Sequence, residues 1–275
     1  MRSGSFMTDG PRARRSTDEI RQLLLDAGIE TLLEDGLGSG AEGLTFKRVY
    51  DRLKQTQGIR LTNASVIGRA FRTQEGFQTE VLVTIAASDS QEFNDLSGIL
   101  LDDILLHADR SSVESRWQCV SDLCRITGTV MLDTLRSSPV WRVWIGIWAL
   151  AGSGQPTEEK QRLKEALLIS YGSIMRDTTD LYTAVLEYLG FRVRAPLTMA
   201  QGAAAIQALA EGSALRDLVD EHAMRQISLP TGTGGQLEEW TIFGMGLHTL
   251  IQHLNHSNLT DSWALLQMCS DSEIG

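Results

Sequence analysis

The sequence predicts an all-α protein: an N-terminal helix-turn-helix unit followed by a larger helical domain. Three observations lead there. Apolar side chains recur at the i, i+3, i+4, i+7 spacing of a helix through most of the chain, and the strict alternation of a half-buried strand is scarce. The periodic runs are separated by short breaks: "RSS" at 110–112, Ser138-Pro139, "GSGQP" at 152–156, Pro196, and the loop from Pro230 to Gly235. Charge is also unevenly spread. The 275-residue chain carries a formal charge of −10, yet Leu44 to Arg72 holds seven Lys or Arg and one acid, Asp51.

Residues 1–15 lack hydrophobic periodicity and contain Arg12, Arg14 and Arg15, which predicts a flexible basic arm. The helix-turn-helix unit is expected over 16–88. Thr17 is the expected N-cap of its first helix, with Asp18 and Glu19 in the first turn, where carboxylates suit the positive end of the helix dipole. Ile20, Leu24 and Ala27 form the apolar face, and the helix ends near Asp35. It is acidic, with Arg21 its only base. "DGLGSGAEG" then breaks it. Gly38, Gly40 and Gly43 make a formal G-x-G-x-x-G match, but a dinucleotide turn must follow a strand, and an acidic amphipathic helix stands here instead. The loop therefore reads as a linker. "TGTGG" at Thr231–Gly235 lacks the Gly-Lys-Ser/Thr ending of a phosphate loop.

A second helix is expected from about Thr45 to Gln57, with Phe46, Val49, Tyr50 and Leu53 on one face and Gly58 as its stop. A third begins around Thr62 and buries Val66, Ile67, Ala70 and Phe71. Thr73 caps a fourth, which turns Phe77, Val81 and Ile85 inward. From residue 89 to 275 the pattern stays helical, with segments near 91–107, 112–136, 138–151, 157–189, 197–211, 213–226, 236–256 and 259–269.

In a helix-turn-helix the second helix lies in the major groove and its N-terminal residues reach base edges. Thr62, Asn63, Ser65 and Arg69 are the candidate readers here, because amide, hydroxyl and guanidinium groups match base-edge donors and acceptors. The small residues Ala64 and Gly68 allow close approach. Lys47, Arg48, Arg60 and Arg72 are candidates for phosphates, as are the free amides near Thr73 and Gln74 at the start of the next helix. Double-stranded DNA is thus the expected partner, since a polyanion needs local positive charge even on an acidic protein. A solvated basic face on an ordinary helical domain is the plainer alternative.

With its basic arm, capped first helix, helix-turn-helix, fourth helix and helical remainder, the chain resembles the TetR family of bacterial transcriptional regulators. The motif match lies in "SVIGRAFRTQEGFQTEVL": Phe71 falls on the family's aromatic residue, Arg72-Thr73 on the turn, Glu75 on its acidic neighbour and Phe77 on the hydrophobic anchor. The resemblance covers residues 17–88 in motif and the rest in helical layout only. Gly68 stands where the family usually has Tyr, and Gln74 where it has Lys. Both family residues tend to contact phosphates, a role open to Arg69 and Arg72 here. The loop between the first two helices is also longer. The resemblance implies a regulator, by family habit a repressor, that binds operator DNA as a homodimer and is released by a small-molecule effector.

The C-terminal domain would hold effector and dimer contacts. Trp141, Trp144 and Trp148 share a helical face and Trp117 precedes them; they are either plain core or the wall of a pocket for an apolar effector. For the dimer, the Ala- and Gly-rich "MAQGAAAIQALAEGSAL" and the face formed by Ile242, Phe243, Leu247, Leu250, Ile251 and Leu254 are the candidates, as parts of a four-helix bundle. Two recognition helices would then lie about 34–36 Å apart.

Other functions find little support. His248 and His253 are five residues apart, which does not align two metal ligands on one face, and no H-E-x-x-H or G-x-S-x-G occurs. No catalytic residue, cofactor or metal is expected. Cys119, Cys124 and Cys269 read as reduced thiols in a cytoplasmic protein. No apolar run suits a signal peptide or membrane span. The alternative reading is a helical small-molecule-binding or catalytic protein whose basic helices dock a protein partner.

Overall fold

The computed structural model describes residues 15–38, 41–66, 69–88, 104–220, 222 and 226–256. Most of these residues are helical, and they fall into two compact units. The first gathers the described residues up to Ala87 together with Val143–Leu167, and the second gathers those of Ser88–Arg142 and from Leu168 onward. The chain thus divides after Ala87, and Val143–Leu167 joins the N-terminal unit.

In the first unit, α1 (Thr17–Asp35) starts one residue earlier than the expected cap at Thr17 implies. Ser16 is the N-cap: its hydroxyl accepts from the Glu19 amide, and the Glu19 carboxylate accepts from the Ser16 amide. This reciprocal pair satisfies two end amides that the helix cannot pair internally. Thr45 caps α2 (Phe46–Gln57) by accepting from the Arg48 amide. Gly58 closes it at φ 66°, a left-handed position that L side chains resist. The third helix, expected to reach Phe71, is a single turn among the described residues, α3 (Asn63–Val66); the chain from Arg69 to Thr73 is non-helical, and the amides of Arg69, Ala70 and Phe71 converge on the Val66 carbonyl. Thr73 then accepts from the Gly76 amide ahead of α4 (Gln74–Ala87).

The core of this bundle forms as the periodicity requires. Leu24, Ala27, Val49, Leu53, Val66, Phe71, Phe77, Val81 and Ile85 are buried. Phe46 stacks on Phe77 at 5.0 Å, and Phe71 meets Phe77 edge-on at 5.1 Å. Aromatic rings from α2, α4 and the turn after α3 thus pack against one another at the centre of this unit.

The second unit contains α5 (Val113–Ser137), the start of α6 (Pro139–Gly152), most of α7 (Glu158–Tyr188), α8 (Met199–Asp217) and α9 (Ile242–Leu254). Helix α9 packs against α5 and α8. The α5 crossing depends on two glycines: a Cβ on Gly128 would sit 2.6 Å from Gly244 Cα. Backbones can approach this closely only where neither residue has a side chain.

Two sequence expectations change here. The segments read as 197–211 and 213–226 are one helix to Asp217, since Gly212 lies in a continuous run without a break. Residues 236–241, expected to open a helix, contain β3 (Glu238–Trp240), which pairs antiparallel with β2 (Ile227–Leu229) in the register Ser228↔Glu239. Thr241 caps α9 only after that strand. A short pair, β1 (Arg192–Val193) with β4 (Asn255–His256), ties the end of α9 to the segment after α7. The expected segment at 259–269, Cys269, the basic arm over 1–14, and most of the segment at 91–107 lie outside the described residues.

Candidate nucleic-acid interface and cavity

The seven bases of the Leu44–Arg72 segment separate by partner. Arg52 donates to Glu30 at 3.0 Å and forks onto the Glu34 carboxylate, with one arm at 2.7 Å. Arg48 pairs with Asp35. Both are thus turned toward the acidic end of α1, and the Arg52 guanidinium beside Glu34 holds that carboxyl below its usual range. Lys47, Lys54, Arg60, Arg69 and Arg72 are exposed and make no ion pair among the described residues.

The expected base readers divide similarly. Thr62, Asn63 and Arg69 are exposed. Ala64 and Ser65 lie in the α3 turn, while their side chains, and the whole of Gly68 and Ile67, fall outside the described residues. Thr73 is exposed and its hydroxyl serves the α4 N-terminus. The Gln74 side-chain oxygen accepts from the Phe46 amide at 3.4 Å, so it is occupied at the start of α2.

A residue the sequence reading passed over organises this unit. Arg21 donates to the Ala70 carbonyl at 2.9 Å, pairs with Glu80 at 2.8 Å, and lies over the Phe71 ring at 4.6 Å. It thereby ties α1 to the turn after α3 and to α4. Glu80 also receives Arg162 at 3.3 Å. The signal was present: Arg21 is the only base in an otherwise acidic helix.

The second unit encloses a cavity of about 70 Å³. Helix α5 contributes Val120, Leu123, Cys124, Thr127 and Met131; α7 contributes Thr178, Leu181, Tyr182, Val185 and Leu186. Gln207 from α8 and Leu247 and Ile251 from α9 complete the wall. Burial pushes the Tyr182 phenol and the Cys124 thiol well above their ordinary ranges, so both stay protonated at neutral pH. Just behind Gln207, Glu211 accepts its amide at 2.9 Å, and burial raises that carboxyl.

None of the four tryptophans lines this cavity, which corrects the expected ligand wall. Trp117 rests on Phe191 at 4.4 Å and Trp144 meets Trp148 at 5.5 Å. Trp141 and Trp144 are buried, and the indole N–H groups of Trp117 and Trp141 are enclosed without a hydrogen-bond partner. Aromatic area has been spent on local packing.

The expected dimer face is corrected as well. Phe243, Leu247, Ile251 and Leu254 are all under 7% exposed within the single chain, so they have no surface to offer a partner. Ile242 and Leu250 are half-buried. The small residues of α8 likewise serve the subunit: Gly202 faces Leu254, and the Leu209 side chain reaches Gly246. Exposed apolar groups lie elsewhere, at Leu168 and Ile169 on α7 and at Leu215, Leu218 and Val219 at the end of α8.

Among the described residues, no group of His, Cys, Asp or Glu is arranged to hold a metal ion, and no helix is long and apolar enough to cross a membrane. His248 stands against the Trp240 ring, where burial lowers its pKa, and His253 is exposed. Cys119 and Cys124 are free, buried thiols. No protein-family model and no curated protein matches the chain.

Proposed function

We propose that this chain is a TetR-like transcriptional regulator, a repressor, that binds operator DNA as a homodimer and is released by a small-molecule effector in the cavity of the second unit. The observation that carries the reading is the arrangement around α3. Asn63, Arg69 and Arg72 stay exposed while Val66, Ala70 and Phe71 are buried beneath them, and the internal ion pairs consume Arg48 and Arg52 instead. A groove-reading helix needs this division, with side chains that carry base-recognition chemistry left unspent.

In this reading Thr62, Asn63 and Arg69 face base edges, and Lys47, Arg60 and Arg72 hold phosphates. The dimer forms through the exposed apolar residues of α7 and α8 rather than through α9. Effector binding in the cavity favours a state whose recognition helices are wrongly spaced, so operator affinity falls by population shift. Activity is cytoplasmic and requires no cofactor.

In-vitro selection of bound sequences from random DNA tests the proposal. Enrichment of a palindrome is the expected result. A purified chain with no DNA affinity at low salt would overturn it, in favour of a helical ligand-binding or catalytic protein whose basic face docks a protein partner.

A further inference from the structure

The polar inventory of the cavity restricts what it can take. No Asp, Glu, Lys, Arg or His lines it. An ion entering would lose its hydration with no counter-charge to offset the loss. Among the polar groups present, the Thr127 hydroxyl already donates to the Leu123 carbonyl, and the Gln207 amide already donates to Glu211. The hydroxyls of Thr178 and Tyr182, both on half-buried residues of α7, make no hydrogen bond to any described residue, and of the two the phenol is the stronger donor. A hydroxyl that lines a cavity without a protein partner is a donor open to a ligand's acceptor.

Size adds a second limit. A cavity of about 150 Å³ holds benzene, and this one, at about 70 Å³, is roughly half that. Met131 in the wall is unbranched and can yield, which sets a single ring as the upper bound.

We propose that the cavity binds a compact, uncharged, mostly apolar molecule carrying one oxygen, of the class of short alcohols, ketones and simple phenols, with that oxygen accepting from Tyr182. The proposal rests on reading this cavity as the effector site of the regulator.

Calorimetric titration of the full chain with phenol, toluene, benzoate and benzylamine at pH 7 tests it. Phenol should bind, toluene should bind about 3- to 10-fold more weakly, and the two charged probes should not bind measurably. Tyr182→Phe removes one oxygen and should bring phenol down to the toluene level while leaving toluene within about twofold. Val185→Trp, checked for retained helicity, should fill the space and abolish both. Equal binding of toluene and phenol, tighter binding of a charged probe, indifference to Tyr182→Phe, or no binding by any probe would each overturn the assignment. Failure here alongside a selected palindrome removes the ligand class and leaves the regulator reading standing. Phenol binding as expected by a chain without DNA affinity supports the ligand class and removes the regulator.

Discussion

Arg48 and Arg52 share a basic segment with Arg69 and Arg72, yet their partners give them different roles. Arg52 is held between Glu30 and Glu34, whereas Arg69 is exposed and unpaired among the described residues. Arg69→Ala should therefore weaken binding to the selected operator by about 1–3 kcal/mol with little effect on random DNA, as read by gel-shift titration. Equal loss on both DNAs would reassign Arg69 to phosphate. Glu211 makes a separate prediction. Its folded-state pKa is raised by burial, so its contribution to stability is present below the ordinary carboxylate range and lost as pH rises through the higher folded value. Glu211→Gln can still accept from Gln207 but cannot ionise. Chemical denaturation should find the variant equal to the parent near pH 4 and more stable at pH 7.

Among the helices, legibility followed how local the determining interactions are. Helix α2 was readable at both ends because Thr45 and Gly58 cap it within its own sequence. The start of α9 was not. Residues 236–241 carry apolar side chains compatible with a helix, but Trp240 donates to the Thr231 hydroxyl at 2.7 Å, Arg125 of α5 holds Glu238 at 3.2 Å, and Gln118 of α5 donates to the Thr231 carbonyl. Those partners lie up to 113 residues away, and no local propensity encodes them. The α5–α9 crossing supplies a test at this scale. Gly128→Ala places a methyl group against the Gly244 backbone, and overpacking of this kind should cost about 1–3 kcal/mol in urea unfolding. An unchanged midpoint would mean that the two helices can separate freely.

For the molecule as a whole, the charge of −10 and the basic face of α2 to α4 act at different ranges. The acidic remainder repels a polyanion, so binding must rest on close contacts from a few unpaired bases. In the proposed regulator, Lys47, Arg60 and Arg72 from each of two protomers would neutralise about six phosphates. Affinity should then fall about a thousandfold between 50 and 200 mM salt. A flat salt response would exclude DNA as the partner. The proposed dimer has its own measurement: sedimentation should find the parent dimeric, and Ile169→Glu, which puts a charge on one of the most exposed apolar groups at 73% exposure, should render it monomeric while sparing the fold.

The sequence by itself determined the helical class, the caps of α2 and α4, the core faces of α1, α2 and α4, and the exposure of Asn63, Arg69 and Arg72. All of these follow from periodicity and short-range hydrogen bonds that one segment contains. Only the tertiary structure decided that Arg48 and Arg52 neutralise α1, that Arg21 clamps the α3 turn, that α9 belongs to the subunit core, and that the cavity gathers Tyr182 rather than the tryptophans. Each depends on which distant segments come together, and a residue's type limits its possible partners without choosing among them.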